Sequence, residues 1–380
     1  MSTVTDLDNG AISFAERVLT LLNQGRFVST YKYAVLLSLM DLVLEQSTKN
    51  GLPPTTVTTR QLAEKVIQVY WPHTNPFPFE AIQAQVLLQN AGAKGAQAAL
   101  INLISQFRHT SKAGALAPYY MARLGSPKEY KALLNQVEWK LIEMPLPKLQ
   151  RIGSSVREFI YAINWDDSIT RGEVSAYQGG RDCNFDNRIL LQGSTAEYLV
   201  RLNGLLRPLI QREWSTKVAQ LNKLPESQLQ NFLFNSHRAP AASLCGPLME
   251  MQDGRCFYCD ETIGNALTKK PEVDHFIPWS RYPDDSITNL VIAHRQCNQD
   301  KRDFLAANNH VVKWMGRFNN PGLMKDMEGI ADKKSWKFGG SSNFGVASAI
   351  YTHLQPEVEL WKLGKEFEVI DHKIIGMLFS

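Results

Sequence analysis

Two short pairs of metal-type ligands place the tightest constraint on this chain. Cys256 and Cys259 stand three residues apart, and His294 and Cys297 repeat that spacing downstream. A tight turn lets two side chains so spaced point at one ion, and four soft donors in two such pairs suit a closed tetrahedral zinc site. The alternative, a group of free buried thiols, leaves the paired spacing unexplained. The other two of the five cysteines, Cys183 and Cys245, have no partner at this spacing and are expected to be ordinary thiols.

Between the pairs lies an apolar, β-prone run, residues 273–278, that carries Asp274 and His275 side by side. On a strand, neighbours point to opposite faces, so these two cannot share one. That division suits a hydrolase: a carboxylate holds a hard divalent cation while the adjacent imidazole, free of the metal, takes a proton from water. A strand-end histidine with a satisfied hydrogen bond is the plainer reading of a lone Asp-His, but four metal-type ligands frame this one.

With those residues in hand, the stretch 256–303 resembles the HNH family of ββα-metal endonucleases, in its zinc-knuckle subgroup. The matching positions are Cys256 and Cys259, Asp274-His275 with Pro278, Asn289-Leu290, and Cys297-Asn298 with Lys301. The resemblance implies that His275 is the general base that activates water against a phosphodiester. It implies that Asp274 and Asn298 ligate a catalytic divalent ion, Mg2+ or Mn2+, that Asn289 orients the His275 loop, and that Lys301 reaches a phosphate. Arg281 and Arg295 are expected as further nucleic-acid contacts, with a solvated surface role as the alternative for Arg281. The second knuckle more often opens with cysteine, and here His294 stands in that place. The structural zinc set is then Cys256, Cys259, His294 and Cys297, to which imidazole is well suited. The competing reading gives His294 to the catalytic ion and leaves the zinc site incomplete. Trp279 and Tyr282 either stack on a base or pack their own loop, and packing is favoured.

The remainder of the chain is ordinary in composition. Its 380 residues are 44% hydrophobic, enough for two or three domains with proper cores. A net charge of +4 is too mild to argue for nucleic acid by itself. The few cysteines, the start of the chain without the pattern of a signal peptide, and an apolar run at 33–44 that contains Asp41 fit a cytoplasmic protein with no membrane anchor.

Apolar spacing predicts two helices over 12–47, hinged around Gly25, and Thr58-x-x-Gln61 reads as a capping box opening a helix that Pro72 stops. This set is reminiscent of a winged helix, with Arg60 and Lys65 facing DNA; plain all-α packing is the alternative. Two helices divided near Gly92 and Gly95 are expected over 79–108, and another over 128–144. Runs at 159–163 and 188–192 suggest a hairpin or a helix end plus loop. A second capping box at Ser194-x-x-Glu197 opens a long helix, kinked at Pro208, with Arg201, Arg207, Arg212 and Lys217 on a partly basic face. A boundary is placed at 235–240, a lead-in helix at 244–251, and a helix at 304–318. The basic-aromatic run 333–340 either grips a nucleic-acid strand or packs a loop; a helix at 349–363 and a helix or short strand at 367–375 close the chain.

The expectation is therefore a mainly α, multidomain protein. A helical N-terminal domain at 1–145, with the winged-helix element, precedes a mixed recognition or regulatory region at 146–240. A zinc-stapled ββα-metal HNH nuclease domain comes next, at 241–320, and a C-terminal extension at 321–380 packs on it. The function expected by resemblance is a metal-dependent DNA endonuclease using one divalent ion, in restriction or anti-phage defence. The alternatives are a non-catalytic zinc module that binds nucleic acid, and a nuclease subunit switched on by a protein partner or regulatory ligand bound at the N-terminal region. Duplex cutting by a single-site nuclease calls for two copies, so a homodimer is expected.

Overall fold

The computed structural model describes residues 4–24, 28–79, 82–91, 96–152, 155–156, 158–181, 183–235, 241–264 and 266–379. The expected features at Gly25, at Gly92 and Gly95, and at 236–240 lie outside them. The chain forms two compact units, one of residues 1–43 and 54–237 and the other of residues 44–53 and 238–380. It is mainly α with small sheets, as expected. Among the described residues no helix is long and apolar enough to cross a membrane.

The first unit runs α1 (Val4–Gln24), α2 (Tyr31–Glu45, its last two residues in the second unit), β1 (Thr56–Thr58), α3 (Thr59–Tyr70), β2 (Pro76–Phe79), β3 (Ile82–Val86), α4 (Ala99–Thr110), α5 (Tyr119–Gly125) and α6 (Pro127–Glu143). It continues through β4 (Arg151–Ile152), β5 (Ser155–Val156), β6 (Tyr161–Ile163), α7 (Arg171–Gln178), β7 (Arg188–Leu191), α8 (Thr195–Arg201), α9 (Asn203–Asn222) and α10 (Glu226–Phe234). The Thr58 capping box forms: its hydroxyl accepts from the Gln61 N–H, and the Gln61 carboxamide accepts from the Thr58 N–H. The suggested hairpin also forms, and β1 adds to it in the antiparallel order β1-β7-β6.

Several local expectations are corrected in this unit. Arg60 does not project outward: its guanidinium binds Glu138 at 2.9 Å and Asn135 at 2.8 Å, both on α6. Lys65 is buried, with its ammonium on Gln68. The part of 79–108 up to Val86 belongs to a β-hairpin, β2 with β3, where Ile82, Ala84 and Val86 alternate with glutamines at period two. The long helix breaks at Leu202 into α8 and α9, and the Ser194 side chain caps nothing. Arg207 leaves the basic face altogether, since it is buried in an ion pair with Asp41.

The second unit holds α11 (Cys245–Met251), β8 (Pro271–His275), β9 (Leu290–His294), α12 (Arg295–Lys301), α13 (Asn308–Phe318), α14 (Pro321–Lys334), α15 (Ser341–Thr352), β10 (Glu359–Leu363), β11 (Glu366–Val369) and α16 (His372–Leu378). Strands β8 and β9 pair antiparallel, from Pro271 opposite His294 to His275 opposite Leu290, and α12 continues from β9 without a break. That is a ββα unit. Trp314 and Met315 of α13 are buried as expected, Trp314 stacked on Phe276 with ring centres 4.6 Å apart. The helix expected over 349–363 stops at Thr352, and the chain beyond it forms the β10-β11 hairpin, turned at Gly364 with φ +55°.

Candidate metal centre and active site

The zinc-type donors come from three places: the turn after α11 supplies Cys256 and Cys259, the end of β9 supplies His294, and α12 supplies Cys297. One ligand atom from each lies within 4.8 Å of all the others. His294 Nδ1 is 3.2 Å from Cys259 Sγ, while its Nε2 faces the Thr262 carbonyl at 3.2 Å. A ring whose far nitrogen donates to a carbonyl turns the lone pair of the near one toward the metal. The contact between the Cys256 and Cys297 thiols lowers the pKa of the first and raises that of the second, and a dication held by both would displace their protons. His294 thus joins the thiol cluster, and the competing reading, with His294 on the catalytic ion, does not match this arrangement.

Strand alternation separates Asp274 from His275, as expected. Asp274 Oδ2 accepts from the Tyr258 hydroxyl at 2.5 Å and faces Lys301 Nζ at 3.0 Å; Oδ1 has no partner among the described residues. Burial, and then the Asp274 charge, push the Tyr258 phenol well above its ordinary value, which keeps it a donor. Glu272, two residues back and so on the same strand face, accepts the Asn298 Nδ2–H at 3.0 Å and meets Arg295 Nε at 3.4 Å. The Asn298 carboxamide is held by its nitrogen, which leaves its oxygen open.

His275 turns the other way. Its Nε2 sits 2.8 Å from Asp285 Oδ1, and its ring meets the edge of Trp279 at 5.4 Å. The loop that carries Asp285 is pinned twice. Fully buried Asn289 accepts the Ile277 N–H and donates to the carbonyls of Ile277 and Asp284, tying the two ends of the loop together. The run after α14 braces it from outside: Trp336 Nε1 donates to the Asp285 carbonyl, Lys337 pairs with buried Asp284, and the Lys337 carbonyl accepts the Ile287 N–H. The basic-aromatic segment therefore packs a loop, the plainer of its two readings.

Lys301 is a correction. It is fully buried, with its ammonium committed to Asp274 and the His275 carbonyl, so it cannot reach a phosphate. Tyr282 is packed, its hydroxyl on Glu45. Arg281 is half-buried, and desolvation lowers its pKa. Arg295 retains partial exposure beside Glu272. Sequence reasoning passed over Asp285, Glu272 and Tyr258. Glu272 carried a signal, standing two residues before Asp274 on a predicted strand, and Tyr258 lay between two ligands; nothing in the local sequence singled out Asp285.

Residues 256–307 match the HNH endonuclease family, the family the sequence resembles. Residues 10–233, more than half of the chain, match a domain of unknown function, DUF8808. No curated protein and no solved structure matches the chain.

Proposed function

This chain belongs to the DUF8808 family, and we propose that the HNH segment at its C-terminal side makes it a metal-dependent nuclease that hydrolyses DNA phosphodiesters. The observation that carries the reading is that one ββα unit holds His275 paired with Asp285 and, on the other strand face, the Asp274 and Asn298 side chains, each bound at one atom with an oxygen left over. With Nε2–H donated to Asp285, the Nδ1 lone pair of His275 is left to take a proton from water. Asn289 holds the loop that fixes this geometry. Asp274 and Asn298 would hold the divalent ion, which supplies charge stabilisation at the phosphate. Glu272 positions the Asn298 amide, and the exposed part of Arg295 is the remaining candidate for a phosphate contact. A role in restriction or anti-phage defence follows from family association alone.

Supercoiled plasmid incubated with Mg2+ or Mn2+ should be nicked or linearised, and chelation should stop it. No product from the wild-type chain in either metal, with single- and double-stranded DNA and RNA all offered, would remove the proposal. Asp285→Asn keeps the loop but weakens the hold on the ring; kcat should fall about 10- to 100-fold with KM unchanged, because only the proton-transfer step is affected. Equal changes in kcat for Asp285→Asn and for a substitution of the exposed Asp260 would show the effect to be unspecific.

The second reading, a zinc module that binds nucleic acid without cutting, is favoured by one contact: the Lys301 ammonium already neutralises Asp274. Direct Mn2+ binding separates the two. The nuclease reading requires it, and the binding module does not.

A further inference from the structure

We infer that Tyr258 is a positioning residue that couples the zinc knuckle to the catalytic carboxylate, so that the two metal sites strengthen each other. This rests on the nuclease reading above, in which Asp274 is an ion ligand. Tyr258 lies between Cys256 and Cys259, so the ion that gathers those two thiolates also fixes where its ring begins. The ring has little freedom beyond that point. It is buried, with Trp361 edge-on at 5.1 Å, His310 edge-on at 5.2 Å and Phe257 edge-on at 5.2 Å. From this cage its hydroxyl reaches Asp274 Oδ2. A tyrosine is rigid along its length, with only two side-chain torsions, so position at the knuckle is transmitted to the carboxylate. Lys301 shares Oδ2, yet its flexible stem orients less sharply than a caged phenol. With Oδ2 held by two donors, Oδ1 is the atom that would be offered to the ion. Outer contacts of this kind change metal affinity by about 10- to 100-fold when removed.

The test is Mn2+ titration by electron paramagnetic resonance on the full, zinc-loaded chain and on Tyr258→Phe, with zinc content and thermal melting measured alongside. The variant should keep its zinc and bind Mn2+ about tenfold more weakly, and its cleavage should recover toward wild type at saturating Mn2+. Unchanged Mn2+ affinity in a zinc-loaded Tyr258→Phe would overturn the coupling. Absence of Mn2+ binding in the wild type would instead overturn the nuclease reading beneath it. A second measurement needs no variant. Coupling between two sites is reciprocal in their binding free energies, so saturating Mn2+ should raise the equilibrium affinity for zinc several-fold in the wild-type chain, read by competition with a zinc-selective chelator. Equal zinc affinities with and without Mn2+ would contradict the inference even if Tyr258→Phe failed to fold.

Discussion

His275→Ala will lower plasmid cleavage by about 10³-fold at saturating Mg2+ while leaving zinc content and melting nearly unchanged. General-base catalysis is worth about 10²- to 10⁴-fold, and no other described imidazole stands at the open side of the ββα unit: His294 belongs to the thiol cluster, and the buried His310 donates from Nε2 to the Lys362 carbonyl. The structural cost of the substitution is small. The His275 side chain is 15% exposed, and its polar contact is the hydrogen bond to Asp285, worth about 1 kcal/mol net. The backbone pairing of His275 with Leu290 and the Lys301 bond to its carbonyl survive in the variant. KM should hold, since the imidazole acts on water and not on the substrate. Activity within threefold of wild type would exclude His275 as the base; loss of zinc together with activity would assign it to the fold instead.

The parts of the site that were legible in the sequence are those whose chemistry depends on spacing. Two ligands three apart suit a knuckle, and both pairs have that spacing, so the four-donor set could be read whole; in the fold the Cys256 turn meets β9 through the Phe257 N–H on the Ile292 carbonyl and the His294 N–H on Cys256 Sγ. Asp285 was illegible because its contact with His275 is made by a loop shape that Asn289 and a distant Trp336 enforce. Lys301 shows the opposite error. It lies on α12 with Cys297 and Asn298, but a place in the motif does not reveal which way a helix packs, and the ammonium faces the core. The same blindness put Arg207 on an open face, although its buried partner Asp41 lies on another helix. At 79–108 the period-two spacing of Ile82, Ala84 and Val86 marks a strand where a helix was expected. The β6-β7 hairpin stayed undecided because its strands are short and a helix interrupts the connection, so no turn motif joins them.

Cys256→Ser will abolish zinc binding and remove the cooperative melting of the second unit, while the first unit keeps its own transition. The two strands of the ββα unit are five residues each, and a two-stranded hairpin is marginal by itself in water. One cluster of the core beneath it comprises Leu244, Leu248, Ile287, Leu290, Ile292, Met327 and Ala331. Two of these, Leu244 and Leu248, reach the hairpin through the segment that the knuckle ties down, because the Cys256 turn hydrogen-bonds β9 through the Phe257 N–H to the Ile292 carbonyl. Structural zinc contributes on the order of 10 kcal/mol to small domains of this kind, as much as the net stability of a typical domain, about 5–15 kcal/mol. The first unit has separate support in the buried Tyr33, Tyr70 and Trp214 cluster and has no part in the knuckle. Cys183→Ser and Cys245→Ser are the controls, since both thiols lie outside the four-donor cluster. Mass spectrometry under native conditions should count one zinc in the wild type and in both controls and none in Cys256→Ser. Calorimetry should lose one transition in that variant alone. A Cys256→Ser protein that retains its zinc, or melts as the wild type does, would show that the four donors are not what holds the ββα unit together.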